Sequence, residues 1–529
     1  MSTRVPTAPL EGMMMRTPLL VRSIAERAGQ VFTSREVVSL TANGVERTTY
    51  GEVLARARRL ASALHELGIR PGDRVATFGW NSRRHLELYL AVPSMGAVLH
   101  TLNIRLFEED LRYIVAHAED RVIFLDASLA EQMPRFDGVE HEILMPDADT
   151  GREGALDYEE LVASGDESFS FPEVDENSAA AMCYTSGTTG SPKGVVYSHR
   201  STVLHTLVTN QADGVGLREH DAVLPIVPMF HANAWGLPYA AAMAGSKLVL
   251  PGPRMDPASL AELIREEAVT VSGAVPTIWQ GIAQLDPQPD LSSVDRLVCG
   301  GSAVPESLMR LYDDRFGVQI VQAWGMTETS PMASISRVPP GGPEGDAAYA
   351  LRATQGRVVP LVDFRIDEES GGELQVRGPT VARAYYGDES GAAKFTEDGW
   401  LRTGDVAEVT DGAVIKLVDR TKDLVKSGGE WISSVDLENA IMAHPDVLEA
   451  AVVAVPDERW GERPCACVVR SQGSSLDGEG LRGFLGERVA KWWLPERVEF
   501  ITEVPKTSVG KFDKKVLRAQ IADGTLETG

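Results

Sequence analysis

Seven short apolar runs along the first four-fifths of the chain limit its fold more than any other feature. They are "RVATFGW" (74–80), "AAAMCYTS" (179–186), "AVLPIV" (222–227), "KLVLP" (247–251), "VTVSGAV" (269–275), "RLVCGG" (296–301) and "VQIVQAWG" (318–325). Each has the length of a strand, and none alternates polar with apolar residues, which is the pattern of strands buried on both faces. Stretches with a helical pattern separate them. One of these, 51–67, is closed by Gly68 with Pro71-Gly72 behind it, residues that stop a helix. The alternation predicts an α/β chain with mostly parallel sheets.

From about residue 357 the helices thin out. "VDFRIDEESGGELQVRG" and "GDVAEVTDGAVIKLVDR" read as hairpins turning at Gly371-Gly372 and Asp411-Gly412, and are expected to form a small β-barrel-like part. The last 110 residues read as a separate α+β unit. "LEAAVVAVPD" and "RPCACVVR" are strand-like, whereas "SVDLENAIMAH" and "EGLRGFLGERVAKWW" have helical periodicity. Residues 420–529 hold 15 Lys/Arg against 18 Asp/Glu, a net of −3, so the preceding part carries −22 of the total −25. The expected division is a large domain over 1–419 and a small mobile one over 420–529, with the boundary at 419–423.

A chain of 529 residues with 43% hydrophobic content can bury a large core. No apolar run reaches the roughly 18 residues that span a membrane. The first 20 residues lack a continuous apolar stretch, because Glu11 and Arg16 interrupt it, and do not read as a signal peptide. The four cysteines (Cys183, Cys299, Cys465, Cys467) show no zinc spacing and are expected to be buried thiols in a reducing cytoplasm. The acidic balance excludes a general nucleic-acid binder. It leaves anionic small substrates open, since a local basic cluster suffices for them.

The stretch "YTSGTTGSPKG" (184–194) suits no core element. It follows a strand and precedes a region read as helical after Ser198, and such glycine-rich loops bind phosphate. Glycines let the backbone approach, N–H groups point at the oxygens, and hydroxyls and a lysine add donors. A Walker A loop is excluded because Lys193 is followed by Gly194 rather than by Ser or Thr. No Gly-x-Gly-x-x-Gly follows a first strand, and no Gly-x-Ser-x-Gly elbow occurs, which counts against dinucleotide binding and α/β-hydrolase chemistry.

With that loop in place, the chain resembles the acyl-adenylate-forming (AMP-binding) enzymes along nearly its whole length. The motifs, in the family's order, are "YTSGTTGSPKG", "PMFHANAWG" (228–236), "GGSAVP" (300–305), "QAWGMTETSP" (322–331), "WLRTGDVA" (400–407), "DRTKDLVKSGGEWIS" (419–433) and "PKTSVGKFDKK" (505–515). "KSGGEWISSVDLENAI" and "KWWLPERVEF" are most similar to the bacterial medium- and long-chain fatty-acyl-CoA synthetases. The resemblance implies a carboxylic acid, ATP, Mg²⁺ and CoA as reactants. Acid and ATP give acyl-AMP and pyrophosphate; acyl-AMP and CoA give acyl-CoA and AMP. Two anions meet in the first step, so cations and N–H donors are needed at the α-phosphate, and a metal at the leaving pyrophosphate.

By the same resemblance, Thr185, Ser186, Gly187, Thr188, Thr189, Gly190 and Lys193 would cradle the β- and γ-phosphates. Thr327 would contact the α-phosphate, and Glu328 would hold Mg²⁺, a hard ion suited to a carboxylate. Gly301, Ser302 and Ala303 would border the nucleotide together with Gln322, Ala323, Trp324 and Gly325, the indole of Trp324 stacking on adenine. Asp405 would accept from the ribose hydroxyls, assisted by Arg420. Lys511 would bridge the acid's carboxylate and the α-phosphate. His231 would stand near that carboxylate, and Trp235, Gly236 and Gly325 would border the acyl pocket. The Ala/Gly-rich helix 236–245 behind Trp235 could leave room for an acyl tail; close packing is its other reading. Lys422 falls at the hinge. Swinging the small domain would exchange Lys511 for Lys426, Ser427, Gly428, Gly429, Glu430 and Trp431, which would line a pantetheine tunnel. A homodimer through the N-terminal segment is a further implication.

An adenylating enzyme that hands acyl-AMP to an amine or a carrier-protein thiol would share these residues, although no carrier domain is expected after 515. A scaffold protein that merely kept the fold would be expected to have lost Lys511, Glu328 or Asp405.

Overall fold

The computed structural model describes residues 11–42, 44–185, 192–427, 430–507 and 511–526. The chain opens with a helix, Val21–Val31, and a hairpin of β1 (Glu36–Thr41) and β2 (Gly44–Thr49). Helix Tyr50–Glu66 follows; Thr49 and Glu52 cap it reciprocally, and Gly68 turns the chain away at φ +90°. Next come β3 (Arg74–Phe78), β4 (Val98–Thr101), β5 (Asp120–Asp126), β6 (His141–Met145), β7 (Leu156–Asp157), β8 (Ala179–Tyr184) and β9 (Gly194–Ser198). These seven make one sheet in the order β7-β6-β5-β3-β4-β8-β9, parallel except for the β8–β9 pair.

The second large sheet adds β10 (Ala222–Pro225), β11 (Lys247–Leu250), β12 (Val271–Ala274), β13 (Arg296–Cys299), β14 (Gln319–Gly325), β15 (Met332–Ile335) and β16 (Arg357–Val358) to the opening hairpin. Its order is β16-β15-β14-β13-β12-β10-β11-β1-β2. The stretch from β14 to β2 repeats the plan of the first sheet strand for strand: six parallel strands, then one antiparallel edge. The sequence carries no visible repeat, because hydrophobic patterning fixes which faces are buried but not which strand neighbours which.

Helices fill the space between the two sheets. In Arg83–Ser94, every residue from Arg84 to Ser94 is buried, as a helix covered on all sides must be. The main core joins this layer to both sheets, with Val75, Leu99 and Ala181 on one side and Val223, Val271 and Val298 on the other.

The β-rich part consists of β17 (Asp363–Asp367), β18 (Glu373–Arg377), β19 (Leu401–Thr410) and β20 (Val414–Arg420). It is an antiparallel meander, and among the described residues no pairing joins β17 to β20 into a closed barrel. The chain enters its last sheet after Arg420, with β21 (Val425–Ser427), β22 (Glu430–Ile432), β23 (Val447–Asp457), β24 (Gly461–Arg470) and β25 (Arg497–Phe500), covered by helices Ser434–Met442, Gly478–Leu485 and Lys514–Asp523. The helical pattern read over 479–493 is realised only to Leu485: Gly486 caps the helix, and Lys491–Trp493 is a separate turn. No helix among the described residues is long and apolar enough to cross a membrane.

Candidate active site

The carboxyl ends of β10, β12, β13 and β14 open into one cleft, the position at which parallel α/β sheets bind ligands. It encloses about 80 Å³. Its walls are Val227 and Pro228 after β10, Val275 after β12, Val298 and Gly301 at β13, Ala323, Trp324 and Gly325 at β14, then Thr327, His231 and Trp235. Thr209, Val215, Leu237, Pro331 and Met332 also line it. Lys511 reaches in from the last sheet's unit. A Cβ on Gly301 would lie 3.2 Å from Val275 Cγ1 and 3.4 Å from Lys511 Cε, and at φ +86° any side chain there would strain the backbone. A Cβ on Gly325 would come within 1.8 Å of the Pro331 carbonyl oxygen.

Lys511 is lowered from 10.5 to about 8, first by loss of water and then by the charge of Arg420, while Asp405 and Glu328 pull it back up. His231 is depressed to about 3 by burial and by the charge of Lys511. It is therefore neutral at physiological pH, a wall and hydrogen-bonding group rather than a cation.

Asp405 is 2% exposed and doubly held. Arg420 Nε lies 3.0 Å from its Oδ1, and the Trp324 indole N–H donates to its Oδ2 at 3.1 Å. The second bond fixes the indole plane at the cleft wall. The side chain of Gln322 turns elsewhere: its amide oxygen accepts from Val304 N–H at 2.8 Å, and its NH₂ donates to Ala353 and Thr354 carbonyls. Gln322 therefore braces the loop before Pro305 and presents no side chain to the cleft. Ser302 is exposed and Ala303 half-buried beside it.

The stretch expected to bind phosphate follows β8, and the helix after it begins at His199, directly after Ser198 as expected; what the pattern did not show is β9, five residues paired antiparallel with β8 ahead of that helix. The neck of the stretch is closed by Thr185 N–H on the Lys193 carbonyl at 2.9 Å and by Lys193 N–H on Thr185 Oγ1 at 3.3 Å. Ser186, Gly187, Thr188, Thr189 and Gly190 lie outside the described residues, as do Gly428 and Gly429. Lys193 Nζ is 3.2 Å from Asp388 Oδ2.

Glu328 is 6% exposed; one carboxylate oxygen accepts from the Tyr385 hydroxyl at 2.6 Å, and no described residue donates to the other. One anchored carboxylate with a spare oxygen fits Mg²⁺, which takes one or two carboxylates and completes its shell with phosphate and water. No cluster of three or more His, Cys, Asp or Glu able to cage a metal occurs among the described residues. The carbonyl of Thr327 is fixed by the Tyr197 hydroxyl at 2.8 Å.

Trp235 ends a left-handed turn, with φ of +43° to +56° over Ala232, Asn233, Ala234 and Trp235, and Gly236 continues it at +74°. Helix Leu237–Ala244 follows. Ala240, Ala241 and Ala242 are buried in the core, and the helix packs on Val21–Val31 and His199–Thr209. Close packing thus explains the small residues, and only Leu237 of that helix borders the cleft. The pocket floor, Thr209 and Val215, had no sequence signal, because a cleft-lining valine looks like any core valine.

The tunnel residues stand apart from the cleft. Lys426, Ser427, Glu430 and Trp431 form the β21–β22 hairpin, with Lys426 Nζ 4.5 Å from the Trp431 ring centroid and Trp431 47% exposed. Arg463 Nη1 donates to Ser427 Oγ at 3.0 Å. Lys422 lies exposed in the turn after β20. The terminal lysines are no basic patch: Lys506 pairs with Glu449 at 2.8 Å and Lys514 with Glu438 at 2.7 Å, while Arg518 pairs with Asp423. All four cysteines are free and buried.

Residues 25–386 match the AMP-binding enzyme family and 436–511 match its C-terminal domain. A long-chain-fatty-acid–CoA ligase of Thermus thermophilus is 47% identical, covering 96% of each chain. A medium-chain-fatty-acid–CoA ligase of Ectopseudomonas oleovorans is 43% identical over 98% of each. A 3-methylmercaptopropionyl-CoA ligase of Ruegeria pomeroyi is also 43% identical, over 97% of this chain and 99% of that one. Among solved structures, the anthranilate CoA ligase AuaEII with anthranoyl-AMP aligns with a TM-score of 0.86 at 24% identity, over 96% of this chain and 99% of that one.

Proposed function

The chain belongs to the AMP-binding enzyme family, and from that premise we propose that it is an AMP-forming acid–CoA ligase acting on fatty acids. The observation that carries the reading is Lys511, held in the cleft beside Gly301 and within the fields of Asp405 and Glu328. In the first step a carboxylate oxygen attacks the α-phosphorus of ATP, and the bond to the pyrophosphate oxygen breaks. Lys511 lies between the two anions and lowers their repulsion. Thr327 contacts the α-phosphate; Asp405 and Arg420 hold the ribose; Trp324 stacks on the base. Thr185 to Gly190 and Lys193 take the outer phosphates. Glu328 would hold Mg²⁺, which neutralises charge on the leaving pyrophosphate.

In the second step the CoA sulfur attacks the acyl carbon, AMP leaves and the thiol proton is released. The unit 420–529 pivots near Lys422 to bring the segment from Lys426 to Trp431, whose sequence includes Gly428 and Gly429, over the acyl-AMP. A fatty acid is favoured because Val215, Leu237 and Met332 give the cleft an apolar lining. Cytoplasmic location belongs to the same reading. So does a homodimer through the N-terminal segment, where Met13, Met14 and Met15 are 88%, 84% and 93% exposed; sedimentation of the chain with and without residues 1–18 tests the dimer.

The deciding assay is pyrophosphate release from Mg-ATP over acids from acetate to palmitate plus aryl acids, with and without CoA. Turnover that needs CoA and peaks at a medium or long chain supports the proposal. Pyrophosphate exchange that CoA does not alter would move the reading to another acyl acceptor.

A further inference from the structure

Tyr385 stands where the metal end and the phosphate end of the site meet. Its hydroxyl donates to Glu328 Oε1 at 2.6 Å, and its ring centroid lies 5.0 Å from Lys193 Nζ. It is 8% exposed and packs against Phe395 with ring centroids 5.6 Å apart. The chain around it ties the same parts together. Ala382 N–H donates to the Glu328 carbonyl at 2.7 Å, Tyr386 N–H donates to the Gly194 carbonyl at 2.9 Å, and Asp388 pairs with Lys193 at 3.2 Å. Residues 382–388 thus touch both the metal-facing carboxylate and the outgoing strand of the phosphate loop.

The Tyr385 hydroxyl is the donor of that bond, and Glu328 Oε1 accepts it. A neutral donor on one carboxylate oxygen fixes the side chain and leaves the other oxygen for a cation, as the outer partners of ligating carboxylates do.

We propose that Tyr385 is a positioning residue for nucleotide activation: its hydroxyl aims the Glu328 carboxylate at the divalent cation, and its ring holds Lys193 at a set remove from that ion, so that both grip one polyphosphate. The proposal rests on the ligase reading above.

Tyr385→Phe keeps the ring under Lys193 and removes only the hydroxyl. Two readouts apply: calorimetric binding of ATP with and without Mg²⁺, and Mn²⁺ binding to the ATP complex by electron paramagnetic resonance, both without acid. The expected result is a roughly ten- to hundred-fold loss of cation affinity, unchanged binding of metal-free ATP and an unchanged melting temperature. Tyr385→Leu, which removes the ring as well, should also weaken metal-free ATP. Equal cation affinity in wild type and Tyr385→Phe overturns the proposal, as does an equal loss with and without metal. A wild type that neither binds ATP nor releases pyrophosphate overturns the ligase reading, and the proposal with it.

Discussion

Lys511→Ala is the most informative single change, because its size follows from the cleft itself. The fall of the ammonium from 10.5 to about 8 means that the empty site disfavours the charged form by about 3 kcal/mol. That cost is recovered when the acid's carboxylate and the α-phosphate supply negative charge, and most fully where the new bond concentrates it. Losing the cation should therefore slow adenylation by roughly 10²–10³-fold, the range seen when one preorganised donor is removed. The two half-reactions are measured separately: pyrophosphate release from acid and Mg-ATP, and thioester formation from supplied acyl-AMP and CoA. The second should fall far less, since under the proposed pivot of 420–529 Lys511 would be out of the cleft for that step. Equal losses in both would refute the two-position reasoning. The pH dependence carries the same sign. Below about pH 8 the free enzyme holds the proton that adenylation needs, so kcat/KM should fall as pH rises through 8, and Lys511→Arg should shift that limb upward. Between pH 8 and 10.5 the unfolded chain keeps a proton that the folded chain has released. Lys511 thus opposes folding below pH 8 and ceases to do so as pH rises. Lys511→Ala should accordingly melt above wild type at pH 7, and a lower melting point would count against the charge argument.

Two further changes separate site from scaffold. Ala240→Trp should lower the melting temperature without shifting chain-length preference, because Ala240 is fully buried among helices; Val215→Phe, at the pocket floor, should shift preference toward shorter acids in the pyrophosphate assay. Asp405→Asn removes a charge that holds both Arg420 and the Trp324 indole, so KM for ATP should rise by about tenfold or more, consistent with the roughly 1.5–3 kcal/mol of a charged hydrogen bond; an unchanged KM would remove Asp405 from the ribose site.

Much of this was legible in the sequence wherever chemistry dictates residue type. The strand runs, the helix stop at Gly68 and the two hairpins after 357 all appear where the patterns put them. The polar residues proposed for the site, such as Lys511, Glu328 and Asp405, sit in motifs because the proposed chemistry calls for a cation or a carboxylate at each place. What escaped is relational. The helix after Ser198 appears where it is expected, but β9 ahead of it gives no pattern of its own, because its strand character lies in its pairing with β8. Gln322 sits within a motif, yet its amide serves Val304, Ala353 and Thr354. Tyr385 gave no signal, since its worth lies in two neighbours that the fold alone brings to it.

The turn that carries Trp235 has a consequence of its own. Four successive residues other than glycine sit left-handed there; Asn tolerates that region, and Ala232, Ala234 and Trp235, at about 1–2 kcal/mol each, hold roughly 3–6 kcal/mol of conformational tension. The walls at Val298 and Ala323 belong to strands β13 and β14. In the proposed acid pocket the tension would lie on one side only, and an acid that let this turn relax would gain affinity from it. Selection among acids would then turn on elasticity as well as on shape. Ala234→Gly, which removes the left-handed cost at one link, measures that tension directly as a gain in melting temperature.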